Sequence, residues 1–320
     1  MSNVLVTGTG AIIGYGILKS IKKGMPDVRC VAADIHSDAV GQHWADKFVQ
    51  APYTSDENYK GWLCEVIERH SIDLVIPGIE QDVFFLAEAV QDNESFPAKL
   101  AINNPDLIQI AIDKLKLDQM LVRDGISCRI ETMSQGSFEE LADCLGLPFL
   151  MKPRRGYASK GIVTIEKKED FQPLEKQMGS FFIAQAYTGS DDEEYTVSAF
   201  CNNSGEIRSS IALRRKLATD GSTAKGSLVD ISQFQPVLEE LCEAFSPNGP
   251  TNFQFRLVEG GPKLLEINPR ISSSTSIRTA LGMNEACMCI DHYLNNKTIN
   301  QAELRSGHAV RFIDDMVTYK

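Results

Sequence analysis

The stretch Lys263-Leu264-Leu265-Glu266-Ile267-Asn268-Pro269-Arg270 decides the fold. It predicts a strand whose side chains alternate between two faces, so Glu266, Asn268 and Arg270 point the same way. A carboxylate and an amide oxygen side by side are oxygen ligands of the kind that Mg²⁺ takes. An arginine just beyond them supplies a planar fork of donors for phosphate oxygens. The pattern indicates a metal and phosphate site, and equally suits a half-buried strand with a solvated polar face.

The preceding stretch, Asn252-Phe253-Gln254-Phe255-Arg256, repeats this alternation, with the polar residues on one face and the phenylalanines on the other. The residues Glu259-Gly260-Gly261-Pro262 follow, so the two stretches predict a β-hairpin. We expect Gln254 opposite Glu266 and Asn252 opposite Asn268. That pairing predicts a turn with an odd number of residues, because an even turn would move one polar row into the core.

Composition bounds the class of protein. The chain has 320 residues, of which 43% are hydrophobic and 23% charged, which is typical of a soluble protein with two or three domains. Its net charge of −11 argues against binding nucleic acid through broad phosphate neutralisation, but leaves room for a locally basic nucleotide site.

The cysteines and the apolar segments indicate a compartment. The eight cysteines show no Cys-x-x-Cys spacing, which favours buried thiols in a reducing compartment over a zinc site. No segment approaches the ~18 apolar residues of a membrane span, and no basic segment precedes the apolar N-terminus as in a signal peptide. We therefore expect a cytoplasmic protein that binds neither nucleic acid nor a membrane.

The N-terminal region predicts a βαβ unit. A strand at Asn3–Val6 precedes the glycine-rich turn Gly8–Gly14 and a helix to Lys23, and a second strand ends at Asp34. Such a turn can hold an anion, and Asp34 stands where a dinucleotide-binding protein places its ribose carboxylate. The spacing Gly-x-Gly-x-x-x-Gly is weak, however, and favours a structural turn.

A later strand of the same domain ends in a loop that carries Glu80 and Asp82. Loops after the carboxyl ends of parallel strands bind ligands in open α/β sheets, so both residues are candidates for contacting a substrate amine. They are equally suited to the acidic first turn of a helix.

The sequence Asn103-Asn104-Pro105-Asp106 predicts a domain boundary, since Asn104 suits an N-cap and Pro105 the first helical position. Helical periodicity then runs to Arg123 and includes Lys114. We expect an α/β domain over 1–103 and a second domain over 104–320.

Two basic loops follow. Strands at Leu147–Lys152 and Gly161–Glu166 flank a loop over 153–160, which indicates a mobile phosphate-binding flap or a plain exposed hairpin. Farther on, Arg214 and Arg215 precede a flexible Gly/Ser/Thr-rich run, where they are candidates for holding a substrate acid or form a solvated basic turn. After the central hairpin, Ser272–Ser276 opens a predicted helix to His292, and Ala309–Tyr319 predicts a last strand packed on the core.

Together these motifs resemble the ATP-grasp superfamily, and within it the carbamoyl phosphate synthetase-like branch. The most specific residues are Asn252-Phe253-Gln254-Phe255 followed by Glu266-Ile267-Asn268-Pro269-Arg270. Met151-Lys152-Pro153 with its glycine-containing loop, and Glu194-Tyr195-Thr196-Val197, come in the family's order. The resemblance implies a Rossmann-like pre-ATP-grasp domain that does not bind dinucleotide, followed by an ATP-grasp fold with a lid over about 115–184 and a core over about 185–320.

The resemblance also implies residue roles. Lys152 looks like the lysine on the ATP phosphates, Glu194 like the carboxylate on the ribose, and Arg270 like the arginine that stabilises the transferred phosphoryl group. The residues implied for the nucleotide are Lys114, Lys152, Gly156, Ser159, Lys160, Gly161, Gln185, Ala186, Tyr187, Glu194 and Gln254. The ligands implied for Mg²⁺ or Mn²⁺ are Gln254, Glu266 and Asn268.

The chain departs from the family after Arg270. Many relatives have a glycine-rich run on the acceptor side, where this chain has Ser272–Ser276, so Ser273 joins Glu80, Asp82, Arg214 and Arg215 as a substrate candidate. The reaction that the resemblance implies is the ATP-dependent joining of a carboxylic acid to an amine or ammonia through an acyl phosphate. The alternatives are a bicarbonate-activating former of carbamoyl or carboxyl phosphate and a nucleotide-binding regulator without turnover. A homodimer is the assembly that the family suggests.

Overall fold

The computed structural model describes residues 2–156, 161–219 and 221–317. Its N-terminal part is a parallel sheet with the strand order β3-β2-β1-β4-β5. Buried residues on both faces of this sheet pack against helices, which is why its strands are almost continuously apolar. The strands are β1 (Asn3–Val6), β2 (Arg29–Asp34), β3 (Lys47–Gln50), β4 (Leu74–Ile76) and β5 (Lys99–Leu100), and the helices are α1 (Ile12–Gly24), α2 (Tyr59–His70) and α3 (Glu80–Gln91), with a 3₁₀ turn at Val40–Trp44.

The middle of the chain forms a small antiparallel sheet with the order β6-β9-β7-β8. The predicted helix to Arg123 is divided in two, because Asp113 caps a new helix by accepting a hydrogen bond from the Leu115 N–H. Lys114 therefore opens a helix. The elements are α4 (Pro105–Ala111), α5 (Lys114–Arg123), β6 (Thr132–Met133), α6 (Phe138–Leu145), β7 (Phe149–Pro153), β8 (Val163–Ile165), α7 (Lys168–Phe171) and β9 (Phe182–Ala186), with 3₁₀ turns at Glu175–Gln177 and Asp191–Glu193.

The C-terminal part is an antiparallel sheet with the order β14-β13-β10-β11-β12-β15. One of its faces packs on α8 through a phenylalanine-rich core. The elements are β10 (Glu194–Cys201), β11 (Ile207–Leu217), β12 (Thr223–Val229), α8 (Gln235–Phe245), β13 (Gly249–Val258), β14 (Gly261–Asn268), α9 (Thr275–Ala280), α10 (Glu285–Cys289), a π-helix at Ile290–Leu294, and β15 (His308–Val310).

The central hairpin has the predicted pairs but not the predicted turn. Asn252 lies opposite Asn268 and Gln254 opposite Glu266. The odd turn is wrong, because Val258 pairs with Gly261 and only two residues separate them. A β-bulge after Gln254 leaves Leu265 without a partner, which restores the register. The bulge therefore does what an odd turn would have done.

Two predictions near the C-terminus are also wrong. The helix expected to reach His292 breaks at Gly282, whose φ of +116° suits glycine, and where a Cβ would lie 2.2 Å from the Glu303 carbonyl oxygen. The last strand covers only His308–Val310. The described residues beyond Arg311 are exposed, with Ile313 96% accessible, and Tyr319 lies outside the described part of the chain.

The expected α/β fold with a parallel N-terminal sheet and antiparallel sheets is confirmed. Within the described ranges, no helix combines the length and apolar character needed to cross a membrane.

Candidate active site

A cleft of about 570 Å³ lies where the three sheets meet. Its floor is the polar face of β13 and β14, its roof comes from β7 and β9, and its far end is formed by the loops before α1 and α3. The alternation predicted for the hairpin therefore places its polar row inside a cavity.

The floor carries Gln254, Glu266 and Asn268, which are neighbours across the two paired strands. The pKa of the Glu266 carboxyl is raised, because burial disfavours its charge more than the nearby Lys114 and Arg270 favour it. The oxygen of the Gln254 amide accepts a hydrogen bond from Arg215 at 2.7 Å. A guanidinium has only donors, so this contact fixes which end of the amide is the oxygen.

This floor fits a hard divalent cation. No group of three or more His, Cys, Asp or Glu side chains suited to a metal occurs in the described part of the chain. The site instead offers one carboxylate, Glu266, and the amide oxygens of Gln254 and Asn268. Mg²⁺ is usually held by one or two carboxylates together with the phosphates of a substrate, which is the donor set that this floor can complete.

Two lysines approach the same end of the cleft, Lys152 from β7 and Lys114 from α5. Nζ of Lys152 lies 2.6 Å from Oε1 of Gln185, and Lys152 is only 8% exposed. Burial, with a further contribution from the nearby Lys114, lowers the pKa of Lys152 to about 8. Nζ of Lys114 donates to the carbonyl oxygen of Gly156 at 3.2 Å, so it holds the backbone just after β7. Both cations lie where they can bind phosphate oxygens.

The roof and one wall are apolar, and β9 passes beside them with Gln185 and Ala186 in the lining. An apolar slot with a few polar groups at its edge suits a flat aromatic base. The apolar residues that form the slot are Ile130, Leu150, Ile162, Leu217 and Leu265.

Glu194 lies beside this slot in a buried charge network. Its Oε1 accepts hydrogen bonds from Nε and NH2 of Arg215, at 3.1 and 2.6 Å. Arg256 lies 3.8 Å from its other oxygen. The carboxylate is therefore held in one orientation at the edge of the cleft.

At the far end, Arg270 forms an ion pair with Glu80 of the N-terminal domain. Arg270 also donates to Oδ1 of Asn268 at 3.3 Å, which connects it to the floor. Ser273 and the residues before α1 line the same end. Of the substrate candidates, Glu80, Arg215 and Ser273 thus lie in the lining.

Other predicted residues lie elsewhere. Asp82 is 2% exposed and accepts a hydrogen bond from Thr54 at 2.5 Å, so it belongs to the interior of the N-terminal domain. Arg214 points to the outside of the sheet, where it pairs with Glu193. Tyr187 and Gly161 flank the cleft without lining it. Ser159 and Lys160 lie outside the described residues.

Arg256 is a lining residue that the sequence analysis did not select. It follows Asn252 and Gln254 on the same face of β13, so the strand alternation already pointed to it. It pairs with Asp191, and its guanidinium stacks on the ring of Tyr187 at 5.8 Å. This contact explains how Tyr187 borders the site.

Comparison with known proteins gives matches to two family models. Residues 189–316 match the family described as "ATP-grasp in the biosynthetic pathway with Ter operon". Residues 4–100 match the "PylC-like, N-terminal domain". The two matches fall on the antiparallel core and on the parallel N-terminal sheet.

Two curated proteins are similar to parts of the chain. A probable alpha-L-glutamate ligase of Alkalilimnicola ehrlichii is 29% identical over 143 residues, which are 43% of this chain and 46% of that protein. A formate-dependent phosphoribosylglycinamide formyltransferase of Methanococcus maripaludis is 25% identical over 177 residues, or 53% of this chain and 42% of that protein. The chain thus spans less than half the length of each relative.

Among solved structures, N5-carboxyaminoimidazole synthetase from Staphylococcus aureus in complex with ADP superposes with a TM-score of 0.76. The match covers 95% of this chain and 80% of that one at 17% identity, so it speaks for the fold. The two family models agree with this fold along the sequence. Residues 189–316 are thus similar to an ATP-grasp family, in agreement with the resemblance found in the sequence.

Proposed function

We propose that the protein is an ATP- and Mg²⁺-dependent ligase that joins a carboxylic acid to an amine or ammonia and releases ADP and phosphate. The observation that carries this proposal is a single cleft whose lining includes an apolar slot, two lysines, a floor of oxygen ligands and an arginine. The names of the similar curated and solved proteins, a glutamate ligase and a carboxyaminoimidazole synthetase bound to ADP, support it.

In this proposal the nucleotide base occupies the apolar slot and Glu194 receives the ribose hydroxyls. Lys114 and Lys152 bind the phosphates, and Gln254, Glu266 and Asn268 hold Mg²⁺. When bound, the metal neutralises phosphate charge during transfer. Lys152 lies in a desolvated position, where its charge acts more strongly on phosphate than it would in water.

The proposed reaction has two steps at the acceptor end, and Arg270 acts in the first. In the first step a carboxylate oxygen of the acid attacks the γ-phosphorus, and the bond to ADP breaks. Arg270 stabilises the charge on the transferring group. In the second step the amine nitrogen attacks the acyl carbon of the acyl phosphate, phosphate leaves, and the nitrogen gives up a proton. In this proposal Glu80, which forms an ion pair with Arg270, receives a cationic amine or its proton.

The experiment is coupled ADP release with Mg²⁺, scanned over a panel of carboxylic acids with ammonia and amino acids as acceptors. One acid that stimulates release, with a product of the mass expected for loss of water, supports the ligase. Stimulation by bicarbonate alone would replace it with the carbamoyl or carboxyl phosphate former. Tight nucleotide binding with no ADP release under any condition would favour the regulator.

We also propose a cellular location, an assembly state and a class of substrate. We place the protein in the cytoplasm, because its eight cysteines are free thiols, six of them buried, which suits a reducing compartment. We propose a homodimer as its assembly, on family grounds, and sedimentation at micromolar concentration tests it. Its substrates are small molecules rather than nucleic acid, in keeping with a net charge of −11.

A further inference from the structure

A buried polar network lies directly beneath the floor of the cleft. Arg278 on α9 and Glu285 on α10 are both 0% exposed and form an ion pair, with NH1 of Arg278 3.1 Å from Oε1 of Glu285. Ser198 on β10 donates to the same carboxylate at 2.5 Å. Burying two charges costs several kcal/mol per ion even after relaxation, so the network needs a reason beyond stability.

The second arm of the guanidinium reaches the floor itself. NH2 of Arg278 donates to Oδ1 of Asn252 and lies 2.9 Å from Oγ1 of Thr196. Thr196 also donates to Oδ1 of Asn252 at 2.5 Å. Asn252 stands opposite Asn268 and two residues before Gln254, on the face that forms the floor.

These contacts decide the orientation of one amide. A guanidinium carries donors and no acceptor, so the atom of Asn252 that faces Arg278 is the oxygen. The nitrogen then lies on the other side. Both side-chain hydrogen bonds of Asn252 with the described residues go to its oxygen. Asn252 also lines the cleft, so its NH₂ group is left to donate to a ligand there.

We propose that Arg278 is a positioning residue, which holds the Asn252 amide with its NH₂ group toward the cleft so that it donates to an oxyanion. This inference rests on the proposed function for the identity of that oxyanion, which is the transferred phosphoryl group or the acyl oxygen that receives it. Asn252 therefore acts as a hydrogen-bond donor between the metal ligands, whereas Gln254 and Asn268 supply oxygens.

The choice of arginine over lysine supports this assignment. A lysine would neutralise Glu285 with a single ammonium, but it cannot hold Glu285 and Asn252 in two fixed directions at once. Nε of Arg278 is buried and has no partner among the described residues. Arg278 therefore keeps its two NH₂ groups on Glu285 and Asn252 although its Nε–H remains without a partner among the described residues.

The test uses Arg278→Lys, Asn252→Ala and the double variant, with Arg208→Lys as the matched control. Arg208 is a half-exposed arginine whose Nε donates to the Ile299 carbonyl oxygen, remote from the cleft. Calorimetry gives the Kd of Mg·ADP and of a non-hydrolysable Mg·ATP analogue, and ADP release gives kcat and KM for the acid.

If the oxyanion is the phosphoryl group, Arg278→Lys and Asn252→Ala each weaken the ATP analogue about tenfold and leave ADP within about twofold, the loss expected for a hydrogen bond to a charged group. If it is the acyl oxygen, both nucleotide affinities hold and kcat falls about tenfold instead. In either case the double variant matches Asn252→Ala within about twofold, because Arg278 acts through Asn252. For the control Arg208→Lys, both Kd values and kcat stay within about twofold of the wild-type values.

Independent losses that multiply in the double variant, or an Asn252→Ala protein with unchanged binding and kcat, would overturn the proposal. Should Arg278→Lys fail to fold, the neutral pair Arg278→Gln with Glu285→Gln takes its place in the same cycle. A neutron crystal structure of the folded variant distinguishes the amide nitrogen from the oxygen and needs no ligand. The amide should turn or become disordered, and an unchanged orientation refutes the role of Arg278. A wild-type protein that binds neither nucleotide refutes the proposed function instead, and the amide orientation still decides this inference.

Discussion

The glycine-rich turn at Gly8–Gly14 and the cleft over β13 and β14 both have the sequence character of an anion site. The turn uses backbone donors internally, whereas the cleft gathers its polar groups around open space. In the turn, the Gly10 N–H donates to Oδ2 of Asp34 at 2.6 Å, and the Thr9 N–H donates to the Ala33 carbonyl oxygen. The carboxylate that a dinucleotide would need is thus already engaged by the turn itself.

The glycines of the two regions also differ in what they do. A Cβ at Gly14 would lie 2.2 Å from the Gly8 carbonyl oxygen, and one at Gly78 would lie 2.3 Å from the Thr7 carbonyl oxygen. These glycines allow backbone segments to touch. Just after β7, by contrast, a Cβ at Gly156 would meet no atom of the described residues within 4 Å. A glycine motif indicates a site only where the neighbouring chain leaves space and unpaired donors.

The largest expected effect is at the floor of the cleft. Glu266→Ala should lower Mg²⁺-dependent ADP release about a thousandfold, because charge neutralisation by a bound metal supplies several kcal/mol and each 1.36 kcal/mol is a factor of ten. The matched control is Glu259→Ala in the exposed turn of the same hairpin, which should keep wild-type kcat.

The pH dependence of metal binding sharpens this prediction. The pKa of Glu266 is raised, and a carboxyl must lose its proton to hold a cation. The apparent affinity for Mn²⁺ should therefore rise with pH through that raised pKa, and Glu266→Ala should lose this rise. A Glu266→Ala protein with wild-type metal-dependent turnover would show that the floor is not the metal site.

The second prediction concerns the turn. Gly14→Ala should lower the free energy of unfolding by about 3 kcal/mol, the upper end of typical overpacking, because the new methyl group meets backbone that cannot move aside. Urea denaturation measures it. Gly61→Ala, in the first turn of α2 with no atom of the described residues within 4 Å of its Cβ, should instead stabilise by about 0.5–1 kcal/mol. The affinity of the folded Gly14→Ala protein for nucleotide should not change, and a large loss would contradict the comparison.

The sequence predicted the parts of the site that follow from short-range periodicity. Strand alternation placed Gln254 opposite Glu266 on one face. The order of the motifs along the chain predicted the fold. The prediction of an odd number of turn residues was wrong, because a β-bulge at Leu265 supplies the extra residue within the strand instead of the turn. The local sequence gives no signal of this bulge.

What the sequence could not predict depends on packing between distant segments. The pair of Arg270 with Glu80 joins residues 190 positions apart, and Arg278 reaches Asn252 from a helix that periodicity had merged with its neighbours. Glu80 and Asp82 are two residues apart and had equal standing as candidates, yet one faces the cleft and the other is 2% exposed. The rotation of α3 about its axis determines which of the two side chains faces the cleft, and tertiary packing determines that rotation.

The smallest expected effect tests whether Lys152, which contacts the neutral amide of Gln185, can bind phosphate in the cleft. Burial and the nearby Lys114 lower the pKa of Lys152 to about 8 in the protein without nucleotide. Phosphate oxygens favour the charged form, so binding must raise that pKa and take up a proton above pH 8. The Kd of the nucleotide should therefore rise about tenfold per pH unit above 8, since one proton changes the binding equilibrium by that factor. Lys152→Arg keeps its charge at every pH in this range and should remove the slope. The same slope in Lys152→Arg would assign the proton to another group and would leave Lys152 as a structural partner of Gln185.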